Sequence, residues 1–486
     1  MRFKVGMLAL ALTGMLSASV HSVQAEDLLD IYNEAYLRDP VVLQAKANRD
    51  RAVAAIDEAT AALLPQLNLT GSLNYTRINP AGDTSSYNNR AAAGGIDLSQ
   101  AIWRHSSWVN RDIATKTAAQ QELVYADALQ QLIIRVSTAY FNVLNALDTV
   151  TFAKANQAAL KRQLDEATRR FHVGLIAETD QLEAQAAYDL ATAQVITAEN
   201  NLINSYEEIR KLIGRQVIEL NALDEARFSP MPVVRSISQV VAEAEQNNLN
   251  LQANIISRDI AKDQITLAQT GHEPTLDLVG SVQMANNNYS VDSPSLQDGS
   301  SNNASVGVAL NFPLFSGGAV SSQVEQAQHN YVAASEALEL VHRTMISDAN
   351  NNYNNVQAAI SSVIAYQQTE RSAQSALEAT QAGYEVGTRT ISDVLDATQQ
   401  LYSAKQSLSA ARFNYIMSRL QLLYTQGTLS LDEIEAVNRG LKRTATSAPT
   451  ISHANGQGAF TPAANSSNNA DGSNGADGSN GANSNN

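Results

Sequence analysis

Hydrophobic and polar residues follow a helical period along most of this chain. Apolar residues recur at three- and four-residue steps, as at Leu129, Leu132 and Val136, which is the spacing of one packing stripe on a helix. Residues 105–172 and 319–382 contain neither proline nor glycine and are rich in good helix formers. A straight helix of that length would span about 100 Å. Such helices are typical of coiled coils or tubes, in which each helix packs against neighbours along its length.

Four short segments replace the helical pattern with a period of two. They predict two strand hairpins, at about 65–103 and about 274–315, in which apolar residues alternate with Asn, Ser, Thr, Asp and Gly. The stretch 67–70, for example, reads Leu-Asn-Leu-Thr. Polar loops are predicted over 77–90 in the first hairpin and over 286–303 in the second. Each hairpin therefore has one apolar face and one polar face.

Two architectures fit a sheet with these faces. A soluble sandwich would bury the apolar face in a core, whereas a membrane barrel would turn it toward lipid and keep the polar face wet. Four strands make a poor core in an otherwise helical chain. They also cannot close a barrel alone, since the smallest barrels have about eight strands. Closure by several copies of the chain, each contributing two hairpins, would satisfy both constraints.

The chain contains the same plan twice. Residues 28–212 and 240–429 align with few gaps, so that 64–72 matches 273–281. Units of about 190 residues are far longer than a solenoid repeat, which favours a pseudo-symmetric body whose functional residues lie where the halves differ. The predicted organisation is a signal peptide over 1–25, a first repeat over 26–220, a connector over 221–239, a second repeat over 240–430, a short C-terminal segment over 431–443 and a disordered Asn/Gly/Ser-rich tail over 444–486.

Composition narrows the cellular setting. Arg2 and Lys4 precede an apolar run that ends in Val23-Gln24-Ala25, which is typical of a cleaved export signal. The chain has no cysteine, which excludes disulfides and a lipid anchor on an N-terminal cysteine, and fits a bacterial envelope better than an animal secretome. The net charge of −15 argues against nucleic acid, whose binding proteins carry a basic face. No run of about 18 apolar residues follows the signal, so no transmembrane helix is predicted.

Each long helix is predicted to end at a glycine. The breaks Val173-Gly174-Leu175 and Val386-Gly387-Thr388 precede two further helical runs, 178–212 and 391–426. Glycine readily adopts the left-handed conformation that terminates a helix. Each half is therefore predicted to hold a strand hairpin at one end and a helix–turn–helix tip at the other.

Polar residues follow each break. Thr179 and Ser392 are predicted to cap the second helices, each with an acid just after it, Asp180 or Asp393. Asp393 and Asp396 are three residues apart and so lie on one face of the helix. This acid pair is interpreted either as a solvated helix start, favoured by the helix dipole, or, around the axis of an oligomer, as stacked carboxylate rings that attract cations.

Together these features resemble the TolC family of outer-membrane efflux proteins. The resemblance rests on the signal peptide, the duplicated plan, the Val-Gly turns and the motif Tyr140-Phe141-Asn142-Val143-Leu144-Asn145-Ala146. It rests also on 387–397, which reads Gly-Thr-Arg-Thr-Ile-Ser-Asp-Val-Leu-Asp-Ala, and it covers about residues 26–440. It implies a mixed, mainly α fold: a trimer whose strands, four per chain, form one twelve-stranded outer-membrane β-barrel. That barrel would continue into a long periplasmic α-helical barrel in a Gram-negative bacterium.

The resemblance also implies roles at the tip. It places the acid pair, Asp393 and Asp396, at the periplasmic pore constriction. The side chains that it links to hold the tip closed are Tyr384 and Arg389, with Thr179 and Asp180 of the neighbouring turn. The residues that it gives to adaptor docking are Val173, Gly174, Leu175, Val386, Gly387 and Thr388. The alternative for the closing links is surface ion pairs worth about 0–1 kcal/mol each.

The halves differ at these positions. Arg389 aligns with Ile176, Tyr384 with Phe171 and Asp396 with Glu183. At the first two of these positions the first half is apolar where the second half carries hydrogen-bonding groups, so the gating chemistry is expected mainly in the second half.

The function implied is that of a passive outer-membrane exit duct for drugs and secreted proteins, in tripartite efflux and type I secretion systems. The partners implied are two further copies of the chain, outer-membrane lipid, a periplasmic adaptor of the membrane-fusion type, and an inner-membrane transporter of the RND, ABC or MFS class.

The seven histidines lack metal-ligand spacing, and no phosphate loop or nucleophile elbow is visible, so neither catalysis nor a cofactor or metal is expected. The alternative is a structural coiled-coil or filament-type surface protein, which the hairpins and the signal peptide disfavour. A soluble periplasmic adaptor would need a lipoyl-like β-domain that the sequence does not show.

Overall fold

The computed structural model of the chain describes residues 25–79, 86–232, 235–290 and 298–442. Its helices and strands, in chain order, are α1 (Leu28–Arg38), α2 (Pro40–Ala61), β1 (Gln66–Ile78), β2 (Tyr87–Trp103), α3 (His105–His172), α4 (Glu178–Ile213), β3 (Ala222–Leu223), α5 (Ile237–Asn247), α6 (Leu249–Gln269), β4 (Thr275–Tyr289), β5 (Gly299–Asn311), α7 (Ala319–Glu385), α8 (Ile391–Thr425), α9 (Leu431–Asn438) and β6 (Leu441–Lys442).

The two halves repeat one order of elements: two helices, a strand hairpin, a long helix and a shorter helix. α3 and α7 contain 68 and 67 residues, so each would span about 100 Å if straight. α3 occupies the whole run that lacks proline and glycine. α7 extends three residues beyond the corresponding run and includes Gly383 in its last turn. α4 packs along α3, and α8 packs along α7.

The largest core lies near the middle of the long helices. Tyr140 and Phe141 on α3 are fully buried there, and their rings meet edge to face at 5.7 Å between centroids. Phe141 also packs on Phe413 of α8 at 5.8 Å. The Tyr140 hydroxyl donates to the carbonyl oxygen of Asn221 at 2.7 Å. The core therefore joins the two halves to the chain segment that connects them.

A buried ion pair and a short sheet support this middle region. Asp39 is 2 % exposed, accepts a hydrogen bond from the backbone N–H of Val41 at the start of α2, and pairs with Arg135 of α3. Pairing and hydrogen bonding are what permit a carboxylate to be buried. β3 pairs with β6, so the connector between the halves is tied to the end of the described chain.

The long strands form one antiparallel sheet in the order β1-β2-β4-β5. Its register places residues of like character in rows across all the strands. One row is mostly apolar and consists of Leu67, Leu98, Gly280 and Val306. The adjacent row is polar and consists of Asn68, Asp97, Ser281 and Ser305. Successive residues of a strand point to opposite faces, so these rows lie on opposite faces of the sheet.

The apolar face of this sheet is not covered by any other part of the described residues. Leu69 is 83 % exposed and Val306 is 79 % exposed. Phe315, just after β5, is also exposed. A contiguous apolar surface of this kind marks a contact with another molecule or with lipid.

The loops between the paired strands are shorter than the polar sequence predicted. The expected loop at 286–303 is wrong at both ends, because β4 continues to Tyr289 and β5 begins at Gly299. Strand pairing depends on backbone groups, so Asn-rich segments extend a ladder once a partner strand is in place. Asn89 donates from its side-chain amide to Asn287 at 3.4 Å, and the Asp298 carboxylate accepts from the backbone N–H of Tyr289 at 2.6 Å. The loop expected at 77–90 is likewise shortened at both ends.

The predicted helix caps were wrong by two residues. α4 begins after Ala177, which has no capping side chain, and α8 begins after Thr390. Thr390 and Asp393 form a reciprocal capping box, in which each side chain accepts from the other residue's backbone N–H. Ser392 therefore lies inside the first turn of α8 rather than at its cap.

Part of the sequence-based organisation lies outside the described residues. The predicted signal peptide, apart from Ala25, and the predicted Asn/Gly/Ser-rich tail over 444–486 belong there. Within the described ranges, every helix is too short or too polar to cross a membrane.

Candidate functional site

The turn after α3 is a tight glycine-dependent turn. Gly174 has a φ of +75° and donates its N–H to the carbonyl of Phe171 at 2.8 Å. The N–H of Leu175 reaches back to the carbonyl of Arg170 at 2.9 Å. This pair of bonds is the Schellman motif, in which a left-handed residue ends a helix and satisfies its last carbonyls.

The turn after α7 has the same geometry. Gly387 has a φ of +80° and donates to the carbonyl of Tyr384 at 3.1 Å, while Thr388 donates to the carbonyl of Gly383 at 2.8 Å. The apolar side chains at the two turns are exposed, and they are Val173, Leu175 and Val386. A methyl group at Gly174 or Gly387 would meet no atom within 4 Å, so both turns have open space around them.

The two helical hairpins pack on each other near these turns. Leu160 and Leu164 of α3 and Ala184 of α4 form a buried apolar cluster with Ile391 and Leu395 of α8. Above this cluster, Gln163 donates to the hydroxyl of Thr398 at 3.1 Å, and Asn156 donates to the side chain of Gln399 at 3.0 Å. The interface thus has an apolar centre at the tip and uncharged hydrogen bonds farther along the helices.

Tyr384 lies at the junction between the hairpins. Its ring packs against the apolar cluster just described and also against a second cluster made of Leu377, Val394 and Leu401. Its hydroxyl oxygen is buried and has no hydrogen-bond partner within the described residues. Burial is the main cause that raises the pKa of Tyr384; the positive charge of Arg170 opposes this shift, and the negative charges of Glu166 and Asp180 add to it. Of the four residues assigned to the closing links, Tyr384 and Asp180 are therefore within electrostatic reach.

Arg389 is not joined to the first hairpin of its own chain. No hydrogen bond or ion pair links it to Thr179 or Asp180 in the part of the chain that the structure describes, and its side chain is exposed. Its stem lies over Gly383, where a Cβ atom would come within 2.7 Å of the Arg389 Cγ. The absence of a side chain at Gly383 therefore makes room for the arginine.

The acid pair lies on the first two turns of α8. The Asp393 carboxylate accepts from both the backbone N–H and the hydroxyl of Thr390, at 2.9 Å each. These bonds lower the pKa of Asp393, with a smaller contribution from the charge of Arg389. Asp396 is exposed. Within the described residues, no cluster of three or more acidic or histidine side chains is arranged to hold a metal ion.

Sequence reasoning missed Arg170. Its guanidinium carbon lies 4.6 Å from the centre of the Tyr384 ring, and its Nη2 pairs with Glu166 at 2.6 Å. Arg170 and Tyr384 are far apart in sequence and belong to different halves. The sequence indicated a special role for Arg170 only through the alignment of the halves, in which Arg170 corresponds to Gly383.

The comparison with known families identifies an outer-membrane family. The model of the outer membrane efflux protein family matches residues 31–215 and 240–428, which are the two repeats. The chain is 43 % identical to the outer membrane protein TolC of Vibrio cholerae over 437 residues, covering 90 % of this chain and 98 % of that protein. It is 27 % identical to the proteases secretion protein PrtF of Dickeya chrysanthemi over 434 residues, covering 87 % and 92 %.

Solved structures share the fold. The structure of CusC, described as forming a transmembrane channel, has a TM-score of 0.72 at 17 % identity and covers 82 % of this chain and 92 % of that one. The predicted mainly α fold, outer-membrane location and efflux role are confirmed, and the filament-type alternative is not favoured. The chain belongs to the outer membrane efflux protein family, and both of its repeats carry the family pattern.

Proposed function

We propose that the chain is the passive exit duct of tripartite efflux and type I secretion systems. It conducts drugs and secreted proteins from an inner-membrane transporter to the outside. The observation that carries this proposal is that a chain of an efflux family has an apolar sheet at one end of its long helix and an acidic tip at the other. A sheet with an uncovered apolar face lies at the start of α3. A tip bearing two acids lies beyond its far end, about 100 Å away if the helix is straight.

Three copies of the chain would complete the structure. β1 and β5 are the edges of the four-stranded sheet, and their outward backbone groups need partners if the apolar face is to lie in lipid. Pairing β5 of one copy with β1 of the next closes a twelve-stranded barrel with its apolar rows outside and its polar rows inside. The long helices of the three copies then form one α-helical barrel in the periplasm.

The tip would act as a gate opened by partners. The exposed turns Val173-Gly174-Leu175 and Val386-Gly387-Thr388 offer open, apolar surfaces for the periplasmic adaptor. In the closed trimer, Arg389 would reach Thr179 and Asp180 of the neighbouring copy, which fits its exposed position and its lack of a partner on its own first hairpin. A transporter of the RND, ABC or MFS class would supply the energy. The likeness to PrtF supports secreted proteins as a second class of cargo.

Planar-bilayer recording tests both the duct and the acid pair. The purified protein should conduct as a heat-resistant trimer, and a trivalent cation on the periplasmic side should block it, because two stacked carboxylate rings attract cations. Asp393→Ala with Asp396→Ala should weaken the block by at least about tenfold, which is the effect of losing about 1.4 kcal/mol of binding free energy.

The matched control is Asp432→Ala with Glu435→Ala, an exposed acid pair at the same spacing on α9. It should leave the block unchanged. A monomeric protein that carries no current would overturn the duct. A conducting trimer whose block is insensitive to the Asp393 and Asp396 substitutions would remove these residues from the constriction.

A further inference from the structure

We propose that Arg170 is a positioning residue of the tip gate, whose guanidinium holds the face of the Tyr384 ring against the first hairpin of the same chain. This inference rests on the proposed function. It adds a contact within each copy that depends on the aromatic face of Tyr384 rather than on its hydroxyl. The contact would keep the two hairpins together until the adaptor separates them.

The geometry is that of a cation–π contact. The Arg170 guanidinium carbon lies 4.6 Å from the ring centre of Tyr384, within the distance of about 6 Å at which the ring quadrupole attracts a cation. Glu166, one turn earlier on α3, binds the Arg170 Nη2 at 2.6 Å and so fixes the orientation of the guanidinium. The backbone of Arg170 is fixed as well, because its carbonyl accepts the bond from Leu175 that closes the turn.

Because Tyr384 lies between the α3–α4 and α7–α8 hairpins, its contact with Arg170 links the two hairpins. Its ring packs both on the cluster that contains Leu164 and Ala184 of the first hairpin and on the cluster that contains Leu377 and Val394 of the second. Any motion that separates α7 and α8 from α3 and α4 must therefore move the ring away from one of the two. Arg170 lies on α3, so the contact opposes that separation.

The difference between the repeats supports a specific role. Arg170 aligns with Gly383, and Tyr384 aligns with Phe171. In the second repeat the absent side chain leaves room for Arg389, whose Cγ would lie 2.7 Å from a Cβ at Gly383. Each half thus has an arginine at the tip where the other half has none, Arg170 opposite Gly383 and Arg389 opposite Ile176. Arg170 lies on the Tyr384 ring within its own chain, whereas Arg389 is exposed and has no hydrogen bond or ion pair to its own first hairpin within the described residues.

Single-channel recording with a set of variants tests the inference. Arg170→Gln should raise the closed-state conductance or the open fraction by about two- to fivefold, as expected for loss of a partly exposed cation–π contact. Arg170→Lys, which keeps a cation, should restore most of the wild-type value. Arg169→Gln is the control for loss of a positive charge near the pore, because Arg169 is exposed and adjacent. The recordings are made in about 1 M salt, where long-range charge effects are screened.

The ring itself is tested by combining substitutions. The effect of Arg170→Gln should persist in a Tyr384→Phe background, which keeps the aromatic face, and should vanish in a Tyr384→Leu background, which removes it. Heat-resistant trimer migration checks that each variant assembles. If Arg170→Gln leaves both the closed-state conductance and the open fraction unchanged, or has an equal effect in the Tyr384→Leu background, the inference is overturned. Either result would leave the duct standing if the wild-type protein conducts and is blocked by the trivalent cation.

Discussion

At the scale of single residues, the observed capping box of Asp393 and its proposed place in a ring of acids would act on its charge in opposite directions. In a ring of acids, neighbouring carboxylates would raise its pKa. Within one chain, the backbone and hydroxyl of Thr390 hold the pKa of Asp393 below its ordinary value. The capping box therefore helps to keep a charged acid at the start of α8, where the helix dipole also favours it.

Thr390→Val should move the loss of cation block to higher pH. A lowered folded-state pKa means that the charge of Asp393, and its contribution to stability, are present above the unfolded-state pKa and are lost as pH falls through the folded-state pKa. Without the Thr390 hydroxyl, the pKa of Asp393 returns toward its ordinary value of 3.8. The measurement is trivalent-cation block titrated from about pH 6 to about pH 3, in an Asp396→Asn background that isolates Asp393. Thr390→Ser, which retains the hydroxyl, should titrate like the parent, and identical titrations for Thr390→Val and Thr390→Ser would contradict this account.

At the scale of elements, the two hairpins share a backbone plan and differ in side chains. The Schellman turns at Gly174 and Gly387 give the ends of α3 and α7 the same backbone conformation and the same hydrogen-bond pattern. Their surroundings do not match, because Tyr384 carries a hydroxyl where Phe171 does not and Arg389 replaces Ile176. The two repeats thus share the backbone of the tip, and the side chains proposed to hold the tip closed are those in which the repeats differ.

Tyr384→Phe combined with Arg389→Ser should raise the single-channel conductance. The double substitution removes the hydroxyl near Asp180 and the proposed link to the neighbouring copy. Each link contributes about 0–1 kcal/mol if exposed, and more if the closed tip buries it. Tyr366→Phe with Arg371→Ser is the matched control, since it makes the same two changes at the same sequence spacing, on α7 and away from the tip. A wild-type conductance in the tip variant would count against the closing links.

The helices were predictable because their signals are local. Proline and glycine are missing from 105–172, and glycine marks the ends of α3 and α7, so the sequence locates these boundaries. The cap of α8 was not located, because Thr390 and Ser392 are both good caps and only Thr390 has its acid three residues later. The contact of Arg170 with Tyr384 joins the two halves, and no local pattern encodes such a pair.

At the scale of the whole molecule, the apolar face of the sheet is the feature that bears on the membrane location of the chain. Its register collects Leu67, Leu98 and Val306 into one row, and the opposite face collects Asn68, Asp97 and Ser305. The periodicity predicted both faces, but it left open whether the apolar one is buried in a core. Within the described residues of a single chain that face is uncovered, which agrees with the outer-membrane location and with a cover of lipid or further copies.

Leu69→Arg should impair assembly in a membrane, whereas Asn68→Arg should not. Leu69 belongs to the uncovered apolar face and Asn68 to the polar face, so the two variants place the same charge on opposite sides of one strand. An arginine facing lipid costs up to about 2–4 kcal/mol per chain near the middle of the bilayer and less near its surfaces, and three copies would each bear this cost. The measurement is the yield of heat-resistant trimer in outer-membrane fractions and in liposomes. Equal yields for both variants would mean that the apolar face does not meet lipid, and the proposed barrel would then have to bury it between copies instead.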